Sequence, residues 1–437
     1  MSAAMHTAGG PYDRPRCYEN TRLAIIRRLM DWLVGNVERH KLVMWLYGDA
    51  GAGKSAIAQT VAEHCFQRSA LLGGFFFSRN DAMHGSETSL VATLAYQAAT
   101  AVSGLKDSIT AAVDKDPMIF EKNLKAQVSS LLIDPINAYS NHPNFDPDSF
   151  PRIFIIDGLD ECTDRGMQGH ILETISTEAL RCNVSLKFLV ASRPEIEITT
   201  IFNSKLLQPH SMRLALSASL QASDDIRHFL NATFQEIKAT HPLRRHIPDT
   251  WPPHDAVEKL VTSSSGQFIY ASTVARYVSS LRHPPVGRLK VVLRLQASSS
   301  EKDLPFAELD TLYRRLFSAV DPDNFQIVLI ILGLLIFKFR SHNPSFNKVN
   351  SINSVLSLEP GQLEFYLGDL MSILKWKVAG TSSVIDDEIR ITHASLSDFL
   401  FDRQRSKEFH LDKGAFFAKL ALIYSEHLSQ IGTTSSQ

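Results

Sequence analysis

Apolar positions along the chain change their spacing near residue 220, and that change divides the molecule. Ahead of it, short runs rich in β-branched and aromatic residues alternate with stretches in which apolar residues recur every three or four positions. The runs are Leu42 to Tyr47, Leu72 to Phe77, Arg152 to Ile156, Leu186 to Ala191 and Met212 to Leu216, each of strand length. Helical spacing fills Thr21 to Val37, the stretch from Ser55 to Phe66, Ser86 to Ala101, Leu105 to Val113 and Phe120 to Tyr139. Strands alternating with helices predict a parallel sheet covered on both faces, with ligand chemistry at the carboxyl ends of the strands.

From Ala222 onward strand signals nearly cease. Helices are expected over Ala222 to Lys238, Ala256 to Ser263, Phe268 to Ser280 and Leu304 to Val320. Asn324 to Lys338, Val349 to Leu358 and Gln362 to Leu374 read as three more, with Glu359-Pro360-Gly361 as the turn between the last two. Lys375 to Ala379 and Glu388 to Thr392 suit a β-hairpin, and a helix follows from Ala394. Helix-turn-helix plus hairpin is a winged-helix pattern. The stretch Met1 to Arg16 is small, polar and glycine-containing, and a mobile leader is expected there.

Candidate chemistry sits at the ends of three runs. Gly48-Asp49-Ala50-Gly51-Ala52-Gly53-Lys54-Ser55 fits G-x-x-x-x-G-K-[ST], between a strand and a helix. The glycines free the backbone to turn successive N–H groups toward phosphate oxygens, and the helix that follows aims its positive end at the anion. Lys54 is expected to reach the β- and γ-phosphates, Ser55 to ligand Mg²⁺, and Ala56 to add the next N–H to the cradle. The run Arg152 to Ile156 ends in Asp157, which emerges at the ligand face and is expected to hold Mg²⁺ opposite Ser55. Gly158 permits a bend that places Asp160 and Glu161 near the γ-phosphate, with Glu161 favoured to polarise a water. Arg193, at the end of the fourth run, is expected to sense the γ-phosphate through charge-assisted hydrogen bonds. The bland alternatives are a glycine turn, a solvated acidic turn and a surface arginine.

With 437 residues the chain has room for roughly two to four domains. A net charge of -1 offers no electrostatic case for a nucleic-acid or anionic membrane partner. The four cysteines, Cys17, Cys65, Cys162 and Cys182, are too scattered for a disulfide framework, and reduced thiols of a cytoplasmic protein are expected. The most apolar run, Ile327 to Phe337, is far short of the ~20 residues that cross a bilayer, so a buried core helix is expected.

Taken together, Gly48 to Ser55, the stretch Phe154 to Cys162 and the stretch Val190 to Pro194, with Phe75 to Arg79 between them, resemble the NACHT family of signalling P-loop NTPases, particularly fungal members and the nephrocystin-type P-loop domain. The resemblance implies an α/β P-loop NTPase fold of ASCE/STAND type, with an extra strand between the two phosphate motifs. All-α helical and winged-helix domains would follow. It divides the chain into a leader (1–20), an NTPase domain (21–218), a helical domain (219–320), a winged-helix-like domain (321–412) and a C-terminal helix and tail (413–437). It implies an NLR-like switch, in innate-immunity-like or self-recognition signalling, that binds ATP or ADP with Mg²⁺, hydrolyses ATP slowly and self-associates in the ATP state. Unknown protein partners are implied too.

The stretch Ile391 to Leu400 resembles the family's winged-helix histidine motif, which implies that His393 touches the β-phosphate of ADP and holds a closed state. A lone histidine at a strand-to-helix junction also serves as a cap or packing residue. Phe268 stands where relatives carry a proline that packs on adenine. The presumptive recognition helix, Gln362 to Leu374, contains Glu364 and Asp369 and no lysine or arginine, so no nucleic-acid partner is expected. The rivals to a switch are a phosphotransferase acting on a small molecule or polynucleotide, and a nucleotide-binding scaffold without turnover.

Overall fold

The five apolar runs of the first half pair into one parallel sheet of order β2-β3-β4-β1-β5. In the computed structural model the strands are β1 (Val43–Tyr47), β2 (Leu71–Phe76), β3 (Ile153–Asp157), β4 (Lys187–Ser192) and β5 (Ser211–Ala215). Residues 15–49, 51–78, 87–216, 220–281, 283–294, 306–337, 348–371, 373–377, 387–391 and 393–434 are described. By internal contacts the chain forms two units, Met1–Gln221 and Ala222–Gln437.

Alternation along each strand decides which face every side chain serves. Val43, Trp45, Phe154, Ile156, Phe188 and Val190 point to one core. Met44, Leu46, Ile153, Ile155, Leu189 and Ala191 point to the other. The first core is closed by α3 (Leu90–Ala101), α4 (Ser103–Lys115), α5 (Leu124–Val128), α6 (Asp134–Ser140), α7 (Arg165–Ala179) and α8 (Ile196–Phe202). The second is closed by α1 (Leu23–Leu33) and α2 (Lys54–Gln67). Each large aliphatic side chain buried in this way contributes about 1.5–3 kcal/mol.

The edge strand β2 is finished by a side chain. Gln97 of α3 accepts from the Gly74 N–H at 3.0 Å and donates to the Gly74 carbonyl at 2.8 Å. The glycine run that makes β2 look weak is what lets α3 come close, since a Cβ on Gly73 would meet Leu94 and Phe154 at 3.2 and 3.3 Å.

The single helix expected over Phe120 to Tyr139 is broken. Asn123 caps α5 by accepting from the Ala126 N–H, and a wider π turn over Ser129–Ile133 leads into α6. Pro135 has no N–H and its ring crowds the carbonyl four residues back, so regular α-helix cannot run through it.

The second unit comprises α9 (Leu220–Thr240), α10 (Ala256–Ser264), α11 (Phe268–Val278), α12 (Pro285–Arg294), α13 (Ala307–Phe317) and α14 (Phe325–Ile336). They are followed by α15 (Val349–Leu356), α16 (Gln362–Leu367), the antiparallel hairpin β6 (Leu374–Lys377) and β7 (Glu388–Ile391), α17 (Ala394–Phe401), α18 (Arg403–Ser406) and α19 (Lys413–Thr434). The expected helix from Gln362 ends at Leu367, where Gly368 opens a 3-10 turn, and Leu374 already belongs to β6. Helix α12 is absent from the sequence reading although Pro285 at its first position is a start signal. The apolar run in α14 lies in the unit's own core, with Val328, Ile331, Leu332 and Leu334 fully buried. Among the described residues no single helix is long and apolar enough to cross a membrane.

Candidate functional site

Parallel pairing brings the motif-bearing strand ends to one edge. Tyr47 of β1 stands opposite Ser192 of β4, and Ala191 opposite Asp157 of β3. Strand β4 therefore lies between the strand that feeds the glycine loop and the strand that ends in Asp157, which is the inserted strand that the resemblance implies. Gly48, Asp157 and Arg193 consequently leave the sheet on the same side, although they come from three separate stretches of chain.

The loop takes its shape from its glycines. Gly51 and Gly53 have φ of 78° and 93°, and Gly53 caps α2. A Cβ on Gly48 would stand 2.9 Å from the Leu216 carbonyl oxygen, so the turn out of β1 tolerates no side chain; one on Gly53 would meet nothing within 4 Å. The loop thus packs on the protein at its root and leaves open space beside Gly53, where α2 begins. Ser55, in the first turn of α2, is exposed. Asp49, Ala52 and Ala56 complete the loop and its helix start; Ala50 lies outside the described residues.

The Lys54 ammonium donates to the carbonyls of Gly48 and Asp49 at 2.7 and 2.8 Å. Burial pushes it below the ordinary lysine range; Asp160 pulls it back up, Arg193 pushes it further down, and Asp157 and Asp49 pull it up. The five charges from the motif regions, Lys54, Asp49, Asp157, Asp160 and Arg193, therefore share one electrostatic environment. Asp157 is 4% and Asp160 3% exposed. Gly158, with φ of 69°, turns the chain after β3 into a 3-10 turn over Leu159–Glu161. Asp160 Oδ1 then accepts the Arg193 backbone N–H at 3.0 Å, and its Oδ2 lies 3.3 Å from Arg193 Nε. Glu161 is half-buried on the same turn.

Three supporting residues escaped the sequence reading. Gln168, buried in α7, donates to the carbonyls of Asp160 and Cys162 at 3.2 and 3.0 Å and so braces the acidic turn. Trp45 donates from Nε1 to the Ser192 hydroxyl at 2.8 Å and steadies the end of β4. Arg22, ahead of α1, donates to the Ala52 carbonyl at 3.1 Å. The segment before Arg22 is tied to α2, with the Cys17 N–H on Thr60 Oγ1 at 3.1 Å and Arg16 on Glu63 at 2.8 Å. No periodicity or motif marks these side chains: Trp45 and Arg22 act on partners distant in sequence, and Gln168 reaches back across the acidic turn.

His393 belongs to the second unit. It is the N-cap of α17, and its Nδ1 accepts the Ser395 N–H at 3.0 Å.

Comparison with known proteins bears on this geometry. Residues 27–193 match the family described as Nephrocystin 3, N-terminal. The matched span begins inside α1 and ends at Arg193, so it takes in the glycine loop, the acidic turn and β4. The first unit is a P-loop NTPase fold. No curated protein sequence matches the chain. Among solved structures, it is similar to the Aeropyrum pernix ORC1 protein in complex with DNA, at 15% identity and a TM-score of 0.41, over 91% of this chain and 94% of that one. It is also similar to the Aeropyrum pernix ORC2 protein in its ADPNP-ADP complexes, at 12% identity and a TM-score of 0.38, over 94% and 97% of the two chains. A third is Drosophila ORC bound to DNA, at 11% identity and a TM-score of 0.36, over 89% and 87%. These findings correct one expectation. The exclusion of a nucleic-acid partner, drawn from net charge and from Gln362 to Leu374, is withdrawn, because two of these structures are of proteins bound to DNA.

Proposed function

We propose that the chain is a NACHT-type nucleotide switch of the STAND class, NLR-like and cytoplasmic. It binds ATP or ADP with Mg²⁺ through Gly48 to Ala56, hydrolyses ATP slowly and self-associates in the ATP state. The observation that supports this best is the convergence of Lys54, Asp157 and the Asp160–Arg193 pair on one sheet edge, beside a glycine loop with open space at Gly53. The donors there suit a polyphosphate and a hard cation. Lys54 now rests on two carbonyl oxygens, and phosphate oxygens are acceptors of the same kind with more charge, so the ammonium exchanges one pair for the other at little cost. The Ser55 hydroxyl and the Asp157 carboxylate would hold Mg²⁺ through their oxygens, and the ion would supply charge neutralisation at the phosphates.

Asp160 is engaged with Arg193 through both its oxygens. That favours Glu161 over Asp160 as the group that takes up a proton from an attacking water. The same engagement holds Arg193 at the edge, where it detects the γ-phosphate. In this reading α15, α16 and the β6–β7 hairpin form a winged-helix module, and the two nucleotide states bias two arrangements of the chain in innate-immunity-like or self-recognition signalling.

The direct test is titration with a fluorescent ATP analogue in the presence of Mg²⁺. Lys54→Ala is expected to abolish binding, since it removes the one lysine of the loop. Near-wild-type affinity in that variant would remove the phosphate site altogether.

A further inference from the structure

Inside the apolar core of the second unit, three polar side chains from α13 and from the start of α17 form a relay. Tyr313 and Ser395 are each 1% exposed, and the phenol oxygen lies 2.9 Å from Ser395 Oγ. Ser395 Oγ lies in turn 2.8 Å from His393 Nδ1, the atom that also accepts the Ser395 backbone N–H. Charged groups surround this relay on each neighbouring element. Asp310 of α13 takes two hydrogen bonds from Arg405 of α18, at 3.0 and 2.7 Å, and Arg314 of α13 donates to the Arg405 carbonyl. Asp398 of α17 acts on both Tyr313 and Arg405, and Asp402 before α18 acts on Arg405.

Donor and acceptor roles in the relay follow from its two ends. A backbone N–H can only donate, so Nδ1 presents its lone pair and the proton of a neutral ring resides on Nε2. At the other end, burial pushes the Tyr313 phenol far above its ordinary range, so it keeps its proton. If the phenol donates to Ser395 Oγ, the serine's own proton points to Nδ1, and every donor in the chain runs one way. The opposite tautomer would put an Nδ1–H against the Ser395 N–H and break the cap.

We propose that Tyr313 and Ser395 are positioning residues that hold His393 as a neutral imidazole protonated on Nε2, so that the ring offers one directed N–H donor on the nitrogen remote from the cap. Its consequence for nucleotide rests on the reading of His393 as a phosphate contact; the geometric half does not.

The full chain, labelled with ¹⁵N-histidine and assigned with His393→Asn, is examined by long-range ¹H–¹⁵N correlation at pH about 8.5, well above the ordinary imidazole value of about 6.5. Wild type should show the Nε2-protonated form, and Tyr313→Phe and Ser395→Ala should each raise the Nδ1-protonated fraction several-fold. An Nδ1-protonated wild type, or unchanged fractions in both variants, overturns the proposal; if Ser395→Ala does not fold, Tyr313→Phe alone decides. ADP off-rates measured on the same proteins form a separate arm. His393→Asn keeps a capping acceptor but lacks the ring, so a tautomer shift in the relay variants with an unchanged off-rate in His393→Asn leaves the positioning role standing and retires His393 as a phosphate contact.

Discussion

Arg22 holds a left-handed backbone conformation with φ of 57° while its guanidinium, in a residue 3% exposed, reaches the Ala52 carbonyl. That conformation costs a residue with a Cβ about 1–2 kcal/mol, and a hydrogen bond from a charged donor returns about 1.5–3 kcal/mol. Alanine at this position loses the bond and keeps the backbone cost, whereas glycine loses both. Urea midpoints should therefore place Arg22→Ala below Arg22→Gly by about 1 kcal/mol, with both below wild type; the reverse order would mean that the guanidinium contributes nothing to the loop. Cys65 illustrates burial acting on a single titratable group. On α2 and fully buried, with its Sγ 3.8 Å from Met30 Sδ of α1, its thiol is pushed up from 9.0 to about 12. The unfolded chain releases that proton from about pH 9 and the folded chain only near 12, so the folded state carries the extra proton across this window. Stability should fall as pH rises through it, at up to about 1.4 kcal/mol per unit. In Cys65→Ala the slope between pH 9 and 11 should flatten by that amount, as read from denaturation midpoints, whatever the substitution costs at pH 7.

At the scale of elements, α3 completes the sheet that it covers. Gln97 satisfies both backbone groups of Gly74 on the outer strand, which leaves that stretch of edge closed to a further strand. Gln97→Leu keeps the volume but strands a buried N–H and a buried carbonyl, each worth about 1–3 kcal/mol. A loss of about 2–4 kcal/mol is expected, together with faster hydrogen exchange at the Gly74 amide than at the Phe75 amide. Exchange unchanged at Gly74 would show that the strand edge does not depend on this side chain. The break between α5 and α6 belongs at the same scale. The apolar spacing of Phe120 to Tyr139 is helical throughout, and a proline and an asparagine cap, whose effects span only four or five residues, cut it into pieces.

For the whole molecule, the proposed switch requires that nucleotide identity change association. Sedimentation of the full chain with a non-hydrolysable ATP analogue and Mg²⁺ should give a larger particle than with ADP. Equal masses in both states would remove the switch and leave a nucleotide-binding protein. Strand positions, the glycine loop, the acid at the end of β3 and the change to helices after residue 220 were all legible from the chain, because periodicity and glycine spacing act over a few neighbouring residues. Tertiary structure alone decided that Arg193 lands on Asp160, that Arg22 serves the loop, that Gln97 finishes β2, and that Tyr313 meets Ser395 across 82 positions of sequence. Hydrogen bonds and ion pairs of this kind join residues whose separation carries no period, so no local pattern encodes them and only the packed chain chooses the partner.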